Sequence, residues 1–414
     1  MNGDANTNIF TARSLIRALA VWGPGLLVML ADTDAGNVVT TAQAGTQWGY
    51  RLLPLLLLLI PMLYLVQELT VRLGVYTGRG HAELIREHYG VGWASVAVAG
   101  LAVAAIGSLI TEFTAVAGIG EMFGLPRAFT LPAATLAVLG IVATGSYRRV
   151  ERAAIFIGLF ELSFFVVALA ARPSLADMAR DAVSIPFGNR PFLYLVAATI
   201  GATFNPWMVF YQQSATVDKG LQPSDISHAR TDTAVGAVLT QCLTGAVLVA
   251  AAATLASGGS ASLSSIGDIS NALTPALGVS AGRVIFGAGV LGASLVAAIV
   301  ASLALAWGVG EVTGHKRSLE LHPFAAGWFY AVYAMCVIGS AFIVWVASDL
   351  VWLNIAAQVL NALLMPLVVG FLVALAATVL PQGQRLSGGR LRLVVIVCGL
   401  VSALGMFCAL CQFV

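Results

Sequence analysis

The chain has 414 residues, 59% hydrophobic and 10% charged, with a formal net charge of +2 and a mean hydropathy of +0.91. Soluble domains carry about 25% charged residues, and a soluble enzyme of this composition would have to hide many apolar runs longer than about 18 residues, so that class is excluded. The near-neutral balance likewise excludes an acidic partner such as nucleic acid. Residues 1–20 (MNGDANTNIFTARSLIRALA) are polar, lack the form of a cleaved signal and read as a tail.

The apolar runs that follow are long and continuous rather than alternating, which predicts membrane-spanning helices and not barrel strands. Eleven are expected, over 22–47, 52–73, 93–123, 129–145, 152–171, 192–214, 232–256, 281–312, 325–347, 350–378 and 392–413. With alternate crossings, fifteen of the 21 Lys and Arg residues fall in connections on the N-terminal side and six on the other. The positive-inside rule then places the N-terminus in the cytoplasm of a multi-pass cell-membrane protein and the C-terminus outside. Cys242, Cys336, Cys398, Cys408 and Cys411 lie in apolar segments without CxxC spacing and read as packing residues. The five histidines, His81, His88, His228, His315 and His322, fall in the polar connections, leaving none at membrane depth.

Two of the segments carry helix breakers. The first reads GPGLLVMLADTDAGNVVTTAQAG and is expected to be interrupted at Ala35-Gly36-Asn37; the sixth reads LVAATIGATFNPWMVFYQQSA and is expected to be interrupted at Asn205-Pro206. Proline lacks an N–H and clashes with the preceding turn, while glycine and asparagine tolerate non-helical backbone. A lone break of this kind is usually an ordinary kink. Two breaks five helices apart match a pair of inverted five-helix repeats whose first helices unwind at the midplane, where substrate binds.

The groups gathered at these breaks are oxygen donors: the Asp34 carboxylate, the amides of Asn37 and Asn205, and carbonyls freed near Ala202 and Asp34. With one full charge and no thioether, thiolate or imidazole, the set suits a hard divalent cation. Asp32 lies two residues before Asp34, would face nearly the opposite way on a helix, and reads as a packing, gating or supporting carboxylate. Glu112 and Glu161 are intramembrane acids, which mark ion paths or hydrogen-bonded helix pairs. Asn354, Gln358 and Asn361 add polar groups in the tenth segment, and Gln212 and Gln213 in the sixth.

These residues resemble the Nramp family of divalent metal transporters over about residues 20 to 378. DAGN (34–37) stands where the family has Asp-Pro-Gly-Asn. QELTVRLGVYTGRGHAELIREHYG (67–90) is close to its second helix and following loop. ITEFTAVAG (110–118) and GATFNPW (201–207) stand where it has Thr-Asp-Leu-Ala-Glu-Val and Ala-x-x-Met-Pro-His. The resemblance implies an all-α LeuT-type fold, alternating access, and a metal site built from Asp34, Asn37, the Ala202 carbonyl and the position of Asn205. Glu112, Gln358, Trp207 and Asp32 would line the pathway or support the ligands. The departures are Asn205 for the family methionine, Trp207 for its histidine, Ala115 for the second acid of the third helix, and a ninth helix without basic residues. That pattern is similar to the Nramp-related magnesium transporter branch.

The resulting expectation is a tail (1–20), a first inverted repeat (21–173), an external loop (174–191), a second repeat (192–380), and an internal loop with an eleventh helix (381–414). The protein is expected to be a monomer in the lipid bilayer that carries Mg²⁺, and also Mn²⁺, without proton coupling and without a cofactor. The alternative is a proton-coupled Mn²⁺/Fe²⁺ importer of the ordinary family kind. A sodium-coupled amino-acid transporter would need a helix N-terminus facing a substrate carboxylate, which Asp34 would repel. HExxH is absent and no convincing nucleophile–base pair stands out, so an intramembrane enzyme is not expected.

Overall fold

The computed structural model describes residues 21–255, 263, 266–274, 277–347 and 351–410; the expected tail lies outside them. Every regular element among these residues is helical, as a membrane interior demands of a backbone that must satisfy its own hydrogen bonds. Among the described residues nine helical stretches are long and apolar enough to cross a membrane. The broken first segment and the shorter helix Arg127–Val142 bring the total to the eleven expected.

The first segment is two helices, α1 (Pro24–Asp32) and α2 (Ala35–Trp48). They are followed by α3 (Leu53–Thr77), α4 (His81–Met122) and α5 (Arg127–Val142). The fifth segment is α6 (Tyr147–Gly158), a 3₁₀ turn (Leu159–Leu162) and α7 (Ser163–Ala170). A short α8 (Leu175–Val183) lies in the stretch expected to be a loop. Ser174 caps it by accepting from the Asp177 N–H, and Asp181 docks it over the end of α2 by accepting from the Tyr50 N–H at 3.1 Å.

The sixth segment is again two helices, α9 (Arg190–Thr203) and α10 (Pro206–Asp218). Then come α11 (Ile226–Leu255), a short α12 (Ile266–Leu273), α13 (Val279–Thr313), α14 (Gly327–Val346), α15 (Val351–Thr378) and α16 (Gly388–Leu410). The two breaks head corresponding five-helix halves. Helix α11 packs along α1, α2 and α3, α13 along α4, and α15 against α9 and α4, so the broken segments lie in the middle of the bundle.

Both breaks differ in detail from the sequence expectation. In the first segment the non-helical residues are Thr33 and Asp34, and Ala35-Gly36-Asn37 form the opening turn of α2. The Asp34 Oδ1 accepts from the Asn37 N–H at 2.7 Å, and this N-cap fixes the helix start ahead of the glycine. In the sixth segment Phe204 and Asn205 are non-helical and Pro206 opens α10. At that position its missing N–H costs nothing and its fixed φ favours the helix.

The third segment also begins earlier than expected. Helix α4 starts at His81 and runs through a non-helical Gly90 (φ 88°), a backbone conformation that glycine alone adopts without strain. This start draws His81 out of the polar connection where it was expected. The ring is wholly buried, with Nδ1 3.1 Å from Gln213 Oε1 and an edge-to-face contact on Phe210.

Candidate metal site

The unwound residues of the two broken helices meet at the centre of the bundle. Asp32, Asp34, Glu112 and Trp207 are wholly buried, and Asn37, Ala202, Asn205, Gln358 and Asn361 nearly so. Bulk solvent therefore does not reach the site. One oxygen of Asp34 caps α2 and the other, Oδ2, has no hydrogen-bond partner. Glu112 on α4 reaches the same break: its Oε2 accepts from the Ala35 N–H at 3.1 Å, and its Oε1 is unpartnered. Two buried carboxylates thus each present a free oxygen beside the unwound backbone. Unsatisfied oxygens of this kind are costly in a low-dielectric interior unless a cation or proton joins them.

The amides are more occupied. Asn37 donates from Nδ2 to the Asp32 carbonyl at 3.0 Å and accepts from the Thr41 hydroxyl at 2.9 Å. Asn205 donates to the Ala202 carbonyl at 3.0 Å and accepts from Asn361 Nδ2 at 2.5 Å. Asn361 also donates to Gln358 Oε1 at 3.1 Å. The Ala202 carbonyl and the Asn205 oxygen, both expected as ligands, each accept one protein donor here and keep a second lone pair for a metal ion.

Gln358 is held where the two halves meet. A Cβ at Gly36 would strike its amide nitrogen, and a Cβ at Gly201 would strike its backbone carbonyl. Asp32 faces Asn205 across the breaks, so it joins the two unwound segments rather than pointing away. The indole N–H of Trp207 is buried without a partner. Among the described residues no group of three His, Cys, Asp or Glu side chains is placed to hold a metal. Any ion bound here would rely on one or two carboxylates with amides and carbonyls, a hard-ligand arrangement.

Sequence reasoning grouped Asn361 with the polar residues of its helix and did not name it as a site residue. Its spacing from Gln358 and Asn354 puts all three on one helical face, a signal sufficient to find it. The anchor of α1 carried no such signal. Asp232 on α11 accepts from the N–H groups of Gly23, Gly25 and Leu26 at 3.1, 2.8 and 3.1 Å, filling orphan donors at the N-terminus of α1. Beside it Lys219 donates to the Trp22 carbonyl at 2.8 Å and to both oxygens of Glu151.

Asp232→Ala is expected to loosen α1 from the bundle, since hydrogen bonds to a charged group are worth about 1.5–3 kcal/mol. Labelling of a Leu27→Cys background by a membrane-impermeant maleimide should rise about tenfold or more. Unchanged labelling would mean that these bonds do not hold α1 in place.

Comparison with known proteins places the chain in a family and a fold. The family described as Nramp, natural resistance-associated macrophage protein-like, matches residues 25–410. The divalent metal cation transporter MntH of Bradyrhizobium diazoefficiens is 30% identical over 305 residues, 70% of this chain and 67% of the relative. MntH 1 of Pseudomonas aeruginosa is 31% identical over 306 residues, 68% of this chain and 67% of the relative. The aligned stretch thus spans about two thirds of the length of these relatives. Among solved structures, a mutant of the manganese transporter of Eremococcus coleocola superposes with a TM-score of 0.76 at 18% identity, covering 96% of this chain and 88% of that one. A nucleobase-cation-symport-1 family transporter in a closed conformation superposes with a TM-score of 0.60 at 14% identity, covering 94% and 90%. These superpositions show the shared LeuT-like fold.

Proposed function

The chain belongs to the Nramp family, and from that premise we propose that it carries a divalent metal cation across a membrane by alternating access around Asp34. The observation that carries this reading is the free Oδ2 of a wholly buried Asp34 at the break between α1 and α2, a carboxyl oxygen placed where unwound backbone can complete a coordination sphere. The arginine-rich connections support a cytoplasmic N-terminus. The Asp232 and Lys219 contacts at the start of α1 would then close the cytoplasmic side.

For the ion, a proton-coupled Mn²⁺ or Fe²⁺ transporter of the ordinary family kind is the reading the relatives support: those aligned over most of this chain are divalent metal cation transporters, and the structural neighbour is a manganese transporter. Glu112, with one oxygen on the α2 backbone and the other free, is the residue available to carry a proton next to Asp34. A second reading, Mg²⁺ transport without proton coupling, rests on one specific observation. By the sequence resemblance Asn205 stands where the family has methionine, and its contacts are with the Ala202 carbonyl and Asn361. Such a site offers no sulfur to favour a transition metal.

Proteoliposomes loaded with a Mn²⁺- or Mg²⁺-sensitive dye and a pH dye separate the two. Mn²⁺ uptake with acidification and no Mg²⁺ uptake is expected for the first reading; Mg²⁺ uptake without acidification would establish the second. Uptake of neither ion would overturn both.

A further inference from the structure

Outside the Asp34 site, the bundle centre holds another set of oxygens that metal coordination there does not use. Glu161 lies in the 3₁₀ turn between α6 and α7 and is wholly buried. Neither of its carboxylate oxygens has a hydrogen-bond partner. The Thr33 hydroxyl faces it without forming a bond of normal geometry. Thr33 in turn lies 2.9 Å, oxygen to oxygen, from the Thr240 hydroxyl of α11, and Thr240 donates to Asp32 Oδ2 at 3.4 Å. The other oxygen of Asp32 is unpartnered. Helix α11 packs against both α1 and α7, so three separate segments deliver two carboxylates and two hydroxyls to one place. All four side chains are inaccessible to solvent.

Charge balance gives this cluster a ligand. The charged groups that bear on Glu161 are Asp32, Asp34 and Glu112, all acidic. One divalent ion at Asp34 and a proton on Glu112 would leave one of these four formal charges uncompensated, which a membrane interior penalises. A proton on Glu161, shared with the Thr33 hydroxyl that faces it, would neutralise it but would leave its other oxygen and Asp32 Oδ1 without partners. A small cation among the oxygens satisfies the carboxylates and the hydroxyls together, and oxygen ligands of this kind favour hard ions.

We propose that Glu161, Asp32, Thr33 and Thr240 form a second cation site, distinct from the one at Asp34, for a hard cation, either sodium or a second divalent ion. The site goes beyond the transport reading above, and its test separates the failure of one from the failure of the other. Full-length protein in lipid nanodiscs is dialysed to equilibrium against radioactive Mn²⁺ alone or radioactive Na⁺ alone. The expected total is about two cations per chain, of which Glu161→Gln loses one and Asp34→Ala loses the other. If Mn²⁺ falls from two to one in Glu161→Gln, the second ion is divalent. If wild type binds one Mn²⁺ and one Na⁺, and only Na⁺ is lost, it is sodium. Thr240→Val keeps the shape of the side chain, and it should weaken the same binding event about tenfold should Glu161→Gln fail to fold. One Mn²⁺, no Na⁺, and no change in Thr240→Val would overturn the second site. Loss of binding in Glu161→Gln with none in Asp34→Ala would overturn the Asp34 reading instead.

Discussion

Asp34→Ala is expected to abolish divalent metal uptake into proteoliposomes while the protein still folds. Two roles converge on this side chain and have to be separated. Its Oδ1 caps α2 through the Asn37 N–H, a contact whose removal costs about 1 kcal/mol of stability. Its Oδ2 is free and supplies the charge that a cation would meet. A charge pair at about 4 Å is worth about 4 kcal/mol at an effective dielectric of about 20, which at about 1.4 kcal/mol per decade is a factor of 10²–10³ in affinity. Asp34→Asn keeps an acceptor for the cap and removes the charge. If charge is what matters, Asn and Ala lose uptake alike and only Ala lowers the melting temperature. Uptake retained near the wild-type rate in Asp34→Asn would refute the site.

The sequence carried the architecture because hydropathy and helix-breaking chemistry are local. Continuous apolar runs place the spans, and Asp34-Ala35-Gly36-Asn37 and Asn205-Pro206 mark two of them as interrupted. What local chemistry misplaced is where each break falls. Gly36 and Asn37 look like the breaking residues, yet the Asp34 cap puts them inside the first turn of α2. Pro206 looks like the end of a helix, and as the first residue of α10 it is the beginning of one.

The contacts least visible in the sequence join residues far apart in the chain. Asp232 fills the N-terminus of α1 from more than 200 positions away. Glu311 does the same for α4, accepting from the N–H groups of Ala82 and Glu83, and also from the Ser214 hydroxyl at 2.6 Å. In sequence both are single acids at the ends of apolar runs, where a surface charge is the natural reading. Only the fold reveals that each replaces the backbone partners a helix start lacks. The same distance hides the proximity of Glu161 to Thr33 and Asp32: the Gly158 that lets α6 approach Leu30 carries no mark of it in the sequence.

Selectivity is the place where residue chemistry and relatedness point in different directions, and Asn205→Met is expected to decide it. Asn205 donates to the Ala202 carbonyl and accepts from Asn361. Methionine would release both groups, leaving Asn361 its bond to Gln358 and exposing the carbonyl to an ion. It would also bring a polarisable sulfur, which favours Mn²⁺ and Cd²⁺ over Mg²⁺. The ratio of Mn²⁺ or Cd²⁺ uptake to Mg²⁺ uptake should rise about tenfold, equivalent to about 1.4 kcal/mol. Two effects are mixed in this change, the freed carbonyl and the added thioether, and Asn205→Leu separates them because it supplies the first without the second. A ratio that rises in Met and not in Leu assigns selectivity to the softness of this one ligand. Equal ratios in the two variants would mean that selectivity resides in the carbonyl and the geometry around Gln358, and that asparagine at this position does not by itself mark a magnesium site.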